Sequence, residues 1–244
     1  MQISSHELTQ VAAAAAPRFD MYTGIHKALR ACMADTLLAV GRMDPTDEQD
    51  IADVSSRVLQ LLGFCAGHLA HENAFVHPAI EARAPGASDA IGHEHDEHLE
   101  HIAQLSKQVA TLRACPLAER ETAARHLYRE LALFIADNFE HMNVEETAHN
   151  AVLWARYTDA ELVAVHEALV ASIPPQEMMG VVRWLVPFMN PAERAHLLAD
   201  IRGKAPAPAF QGILDAVQPH LAAREWAKLA RALGLAAVPG LVGA

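Results

Sequence analysis

A pattern that decides the fold is clearest in residues 58–75, which read VLQLLGFCAGHLAHENAF. Apolar residues recur there every three or four positions up to Cys65, which is the spacing of a helix that buries one face. The same face continues through His68 and Glu72 before it returns to an apolar residue at Phe75. An unpaired buried polar group costs about 2–7 kcal/mol. The stretch therefore predicts a buried helix with a polar interruption that another group must satisfy.

Four long segments have this helical periodicity, and three short breaks that contain proline or glycine separate them. The segments cover about residues 18–42, 47–83, 89–113 and 117–157. Long helices joined by short loops favour up-down-up-down packing. The sequence therefore predicts an all-α protein, with an antiparallel up-down-up-down four-helix bundle in residues 1–157.

The rest of the chain, residues 158–244, is predicted to be a C-terminal helical annex of unknown role. Repeated prolines divide it into shorter helices. Two stretches, Thr158-Asp-Ala-Glu161 and Asn190-Pro-Ala-Glu193, have the residues of a capped helix N-terminus. We expect this annex to pack on the bundle, to bind a partner protein or to mediate self-association.

Composition excludes several classes of partner. The formal net charge of -11 leaves no basic face for nucleic acid. No stretch is long enough to cross a membrane, and the alanine run Ala12–Ala16 lacks the basic start of a signal peptide. Three cysteines without a C-x-x-C spacing indicate a reducing compartment. We therefore expect a cytoplasmic protein that binds neither nucleic acid nor membrane.

Histidine is unusually frequent, with 15 in the chain and ten of them from His68 to His149. Seven polar residues fall on the predicted buried faces of the four helices: His26, His68, Glu72, His95, His98, His141 and Glu145. Neutral imidazoles and carboxylates are ligands of transition metals, so these seven predict a metal site. Zinc is the weaker alternative, because it prefers four ligands. Four other histidines lie off these faces and are expected on the surface: His71, His77, His126 and His149.

The motifs that contain these residues resemble the hemerythrin or HHE cation-binding family over roughly residues 18–157. They are Ile25-His26-Lys27, His68-x-x-x-Glu72, Glu94-His95-x-x-His98 and His141-x-x-x-Glu145-Glu146. The resemblance implies a non-haem di-iron centre in which Glu72 and Glu145 bridge the two irons. It further implies that one iron takes two histidines and the other takes three, namely His26 and His68, and His95, His98 and His141.

Two spacings differ from those of the oxygen-carrying members of the family. In those members the two histidines of the third long helix are spaced H-x-x-x-H. In this chain the corresponding residues of segment 89–113, His95 and His98, are one residue closer. Their helix 4 carboxylate follows its histidine by five residues, which would select Glu146 in this chain. The buried face favours Glu145, so Glu146 is the alternative ligand.

The resemblance implies a protein that binds or senses O2, or else NO or peroxide, at the di-iron site. One alternative is a di-iron oxidase or peroxidase, and another is an iron-responsive module that acts on partners through residues 158–244. Ferritin-like enzymes use paired Glu-x-x-His motifs. Within the predicted bundle only Glu146-x-x-His149 has that spacing, which disfavours the enzyme. The residues leave open whether the protein has catalytic turnover.

Overall fold

The structure is a computed structural model that describes residues 18–235, and these residues form helices joined by short connections without any strand. The predicted all-α class is therefore confirmed. The alanine run Ala12–Ala16 and the outer ends of both predicted domain ranges lie outside the described residues. Within 18–235, no helix is both long and apolar enough to cross a membrane.

The first part of the chain contains four long helices, two of which include a π-helical turn. In chain order its elements are α1 Thr23–Arg42, α2 Glu48–His71, a π turn Glu72–Val76, α3 His77–Arg83, α4 Asp89–Ala114, α5 Leu117–Val144, a π turn Glu145–His149, α6 Asn150–Arg156 and α7 Asp159–Ser172. Each π turn continues its neighbours without a break, so residues 48–83 and 117–156 are two uninterrupted helices.

The ends of these helices follow from local side chains. α1 begins at Thr23 rather than near residue 18, because the Asp20 carboxylate accepts hydrogen bonds from the backbone N–H groups of Tyr22 and Thr23. Asp47 caps α2 by accepting from the N–H groups of Gln49 and Asp50. Such carboxylates satisfy donors that the first turn of a helix leaves unpaired.

The four long helices contact one another in a closed ring. α1 packs against α2 and α5, and α4 packs against the same two helices. Large side chains that are almost fully buried fill the interior, among them Leu29, Met33, Leu61, Leu105, Leu112, Leu127, Leu131 and Phe134. A second apolar cluster lies around the two π turns and includes Tyr22, Val76, Ile80, Val152, Leu153 and Leu162.

The chain divides into two compact units, the first of which ends at Ser172 and the second of which begins at Ile173. This division lies one helix after the predicted boundary at 157/158. α7 belongs to the first unit because Leu162 is buried in the apolar cluster around the π turns. Two ion pairs also hold α7 there, Arg18 with Asp159 and Arg83 with Glu161.

The second unit has its own helices and its own apolar core. Its described elements are α8 Pro175–Phe188, α9 Pro191–Lys204, α10 Ala207–Val217, a 3-10 turn Gln218–His220 and α11 Ala223–Ala232. Its core contains Val182, Val186, Leu198, Phe210, Leu214, Val217 and Leu229. The capping boxes predicted at Thr158 and at Asn190 are both formed, since each side chain pairs with the residue three positions later.

One charged side chain is buried in the second unit, where it completes a helix end. Arg194 is 1% exposed, and its guanidinium donates to the carbonyl oxygens of Val186, Pro187 and Met189. These carbonyls lie at the C-terminus of α8, where the helix itself offers no donors.

Replacing Arg194 with Met should lower the free energy of unfolding by about 2–4 kcal/mol, because buried carbonyls lose their donors. Urea denaturation followed by tryptophan fluorescence measures this, since Trp184 and Trp226 both lie in the second unit. Arg231→Met is the matched control, because Arg231 is exposed on α11. Equal stability of the two variants would contradict the role given to Arg194.

Candidate metal centre

The two π turns shift the buried face of their helices by one residue. A π turn holds one more residue than an α turn, so residues beyond it face a different direction from the one that α periodicity predicts. In the second long helix Val76 and Ile80 are buried where Phe75 and Ala79 were predicted. In the fourth long helix His149 is buried, whereas Ala148 is half-buried.

Each π turn begins at one of the predicted bridging carboxylates, Glu72 and Glu145. Both carboxylates are buried, at 3% and 0% exposure. Around them lie two groups of side chains whose ligand atoms are all within 4.8 Å of one another within each group. Both groups contain the two carboxylates; His26 and His68 complete one, and His95 and His141 complete the other.

The two oxygens of Glu72 lie near histidines of different groups. Oε1 is 3.2 Å from His68 Nε2 and 3.9 Å from His26 Nε2. Oε2 instead lies 3.7 Å from His95 Nε2. Two ligand atoms that are each about 2.1 Å from one ion are about 3.0–3.4 Å apart. The separations are close to this range, so Glu72 is placed to contribute one oxygen to each group.

Glu145 also reaches both groups, but its Oε2 alone is close to a histidine of each. Its Oε2 is 3.4 Å from His26 Nε2 and 3.5 Å from His141 Nε2. Its Oε1 lies 3.7 Å from His95 Nε2. Nε2 of His95 and Nε2 of His141 are themselves only 3.1 Å apart. Two ring nitrogens at this distance fit two ligands of one ion.

Several ligand atoms of these groups are buried without any hydrogen-bond partner. They are Nε2 of His26 and of His68, Oε2 of Glu72 and both oxygens of Glu145. Buried polar atoms in folded proteins are almost always paired, because an unpaired one costs about 1–3 kcal/mol. A cation would satisfy all of these atoms together, so the donor set fits metal ions.

Three of the histidines are each held by a polar side chain at Nδ1, the ring nitrogen that faces away from the two groups. Nδ1 of His26 is 3.0 Å from Oε1 of Glu146, and Nδ1 of His141 is 2.8 Å from Oε2 of Glu94. Nδ1 of His95 is 2.7 Å from Oδ1 of Asn73. An Nδ1–H that donates to such an oxygen leaves the lone pair on Nε2, which faces the groups.

The pKa values of the site residues show that the two buried carboxylates require positive charge beside them. Burial and the negative charge of Glu145 raise the pKa of Glu72 to about 8. Burial by itself would lower the pKa of His26, but the nearby carboxylates of Glu146, Glu72 and Glu145 raise it to about 9. Burial favours neutral Glu145, yet the nearby rings of His141 and His95 hold its pKa well below the usual value. Protons on Glu72 and His26 thus offset the negative charge of the metal-free site.

The structure brings six of the seven predicted site residues into the two groups, and the seventh, His98, is in neither. His98 is buried beside His141, with ring centroids 4.8 Å apart, and its Nδ1 has no partner. Its assignment as a ligand stays a prediction.

The alternative carboxylate, Glu146, is outside both groups. It pairs with Arg30 as well as with His26 Nδ1. Its position is therefore that of a residue that orients a ligand, whereas Glu145 lies among the ligands.

The prediction that His77 and His149 are surface residues is wrong. They are buried, at 8% and 2% exposure, and form a third group with Glu145. The error arises from the assumption of unbroken α periodicity, because both residues lie at or just after a π turn. The signal that could have found them is their spacing of five and four residues from Glu72 and Glu145.

Helices that place two carboxylates among buried histidines define a cation-binding protein. The family model of the hemerythrin HHE cation-binding domain matches residues 19–150, more than half of the chain. The chain therefore belongs to this family, as its motifs predicted. A search of curated proteins and a search of solved structures each found no match.

Metal binding should release protons, because Glu72 and His26 must be deprotonated to act as ligands. With pKa values of about 8 and about 9, both carry protons at neutral pH and lose them as the pH rises. The dissociation constant for Zn²⁺ should therefore fall about tenfold per pH unit for each displaced proton up to about pH 8. Titration calorimetry in two buffers with different ionisation enthalpies measures the released protons. Binding without proton release would contradict the protonated state of the metal-free site.

Deleting Ala74, an exposed residue of the first π turn, should convert that turn to an α turn and leave Glu72 and His77 on the same face. The present turn joins His77 N–H to the Glu72 carbonyl, and removing one residue gives the spacing of an α-helix. Metal binding should be retained. Deleting Ala70, which is also exposed but lies between His68 and Glu72, is the matched variant. It turns His68 by about 100° relative to Glu72 and should abolish binding; equal metal content of the two variants would be the contrary result.

Proposed function

We propose that the four long helices form an antiparallel up-down-up-down bundle around a non-haem di-iron centre that binds or senses O2, or else NO or peroxide. The observation that carries this proposal is the division of the Glu72 oxygens between histidines of the two groups, with Oε1 near His68 and His26 and Oε2 near His95, which is the geometry of a bridging carboxylate. Glu145 supports it in the same way, since its oxygens face histidines of both groups.

One ion of the centre would be held by His26 and His68, and the other by His95 and His141, with both carboxylates shared. Each ion then has four protein ligands. Iron favours a higher coordination number than the four that satisfy zinc, so positions for a small ligand remain. Bound iron would supply those positions and the electrons that the binding of O2 requires.

The residues of the chain orient the ligands and keep water out. Glu146, Asn73 and Glu94 hold the rings of three histidines by their Nδ1 atoms. Arg30 in turn fixes Glu146 through both of its terminal nitrogens. Since the histidines, the carboxylates and the apolar side chains around them are buried, the site has a low dielectric constant, which strengthens charge interactions within it.

The free buried thiols support a reducing, cytoplasmic location. Cys32 and Cys65 are buried thiols in the first unit, and burial raises the pKa of the Cys65 thiol. Disulfides are rare in such a compartment. The second unit, which begins at Ile173, would be an annex for a partner protein or for self-association.

Metal analysis after anaerobic purification tests the proposal. We expect two irons per chain and an absorption band that appears only when air is admitted. The double variant Glu72→Ala/Glu145→Ala should lose both ions, because both groups lose their shared ligands. Its matched control, Glu97→Ala/Glu121→Ala, removes two exposed carboxylates and should keep both ions.

Other outcomes of this experiment would contradict the proposal. Zinc, or a single ion per chain, would exclude the di-iron centre. Two ions in the Glu72→Ala/Glu145→Ala variant would exclude the bridging role of the carboxylates. Rapid turnover of peroxide by the iron-loaded protein would instead favour the oxidase or peroxidase alternative.

A further inference from the structure

A third group of metal-binding side chains lies beside the two that the proposed di-iron centre uses. It consists of His77, Glu145 and His149, whose ligand atoms are within 4.8 Å of one another. All three residues are more than nine-tenths buried. Neither histidine belongs to the other two groups, so the proposed di-iron centre does not account for them.

Both histidines have a buried ring nitrogen without a hydrogen-bond partner of good geometry in the described part of the protein, and the ring of His149 also lies near the backbone of Ala87. Nε2 of His77 and Nε2 of His149 are buried and have no hydrogen-bond partner. The ring of His77 stacks on that of His95, with centroids 4.7 Å apart, and meets that of His149 edge-on at 5.6 Å. Two imidazoles packed in this way gain no hydrogen bond from each other, so their packing leaves both Nε2 atoms unexplained.

Tyr22 fixes the orientation of His149. Its hydroxyl is 3.2 Å from Nδ1 of His149, and the tyrosine is 1% exposed. When Nδ1–H donates to this hydroxyl oxygen, Nε2 carries the lone pair, which is the form of histidine that binds a metal. The phenol thus orients His149 through Nδ1. Glu146, Asn73 and Glu94 orient the histidines of the other groups in the same way.

We propose that His77, His149 and Glu145 form a third cation site, for a divalent first-row transition metal ion. Two imidazoles and one carboxylate are a known ligand set for such ions, and they leave further positions open. The two oxygens of Glu145 offer about four lone-pair sites, so the carboxylate can serve this ion while it bridges the other two. The third ion is repelled by the other two, so it binds last and most weakly and is expected only when metal is added in excess, not in the protein as purified.

The site depends on Glu145, which it shares with the proposed centre, but not on Glu72 or on the identity of the metal.

The first test is equilibrium dialysis of the metal-free protein against Co²⁺ without oxygen, with cobalt per chain measured by mass spectrometry. Wild type should bind three ions. The double variant His77→Gln/His149→Gln should bind two. The matched control His93→Gln/His126→Gln, which changes two exposed histidines, should bind three.

Tyr22→Phe separates a ligand-orienting role from a merely structural one. It removes the partner of His149 Nδ1 and keeps the ring, so the third ion should bind about 10-fold more weakly, while the first two bind as in wild type. Equal affinity for the third ion in wild type and Tyr22→Phe would overturn the role of the phenol. Thermal unfolding followed by circular dichroism establishes that each variant is folded.

Glu72→Ala makes failure of this inference distinguishable from failure of the proposed function. Glu72 belongs to both other groups and not to the third. If only the third site exists, wild type binds one ion, Glu72→Ala still binds it, and the double histidine variant binds none. If only the proposed centre exists, wild type saturates at two ions and the third site is overturned. Should the double variant not fold, anomalous diffraction from cobalt-soaked crystals of wild type decides, by a peak between His77 and His149 or by its absence.

Discussion

Burial of two carboxylates side by side is the constraint on which the first unit depends. Glu72 and Glu145 lie together in an interior that is otherwise apolar, and their negative charges repel each other across a medium that screens them poorly. Positive charge must therefore be present, either as protons or as cations. Without metal, the raised pKa values of Glu72 and His26 favour protons on both residues, and these protons balance the charge.

The surrounding residues form successive layers around this charge. Histidine Nε2 atoms face the carboxylates, and their Nδ1 atoms face Glu146, Glu94 and Asn73. Arg30 balances Glu146 at the outer edge. Each layer fixes the orientation of the one inside it. The loss of an outer residue would therefore change the orientation of the inner histidines. Apolar side chains surround the buried carboxylates, whereas Glu94, Glu146 and Arg30 are partly exposed at the outer edge.

The two π turns occur at the same two buried carboxylates. Each begins at a carboxylate and puts one extra residue into the helix, which turns His77 and His149 towards the interior. π turns are rare and occur frequently at functional sites. The second unit is different in kind, since a single apolar core holds it together, with one buried arginine that completes a helix end. Its residues lie beyond the part of the chain that matches the HHE family model.

The sequence by itself determined the all-α class, the extents of the four long helices and six residues that meet in the two groups. These follow from helical periodicity, which is a local property: positions three and four apart share a face whatever packs against it. The placement of Glu145 rather than Glu146 in the two groups follows from the same rule.

Only the tertiary structure decided what happens beyond each carboxylate. A π turn has no reliable sequence signal, because it forms when packing favours an extra residue over regular hydrogen bonding. The inward direction of His77 and His149 therefore could not be predicted from the regular α periodicity of the buried face, and their spacing from Glu72 and Glu145 is the only local signal of it. Nor could the pairing of Tyr22 with His149, or of Glu94 with His141, because these contacts join residues that are distant in the chain. Local rules set which face of a helix is buried, whereas contacts between helices set which nitrogen of each histidine faces the site.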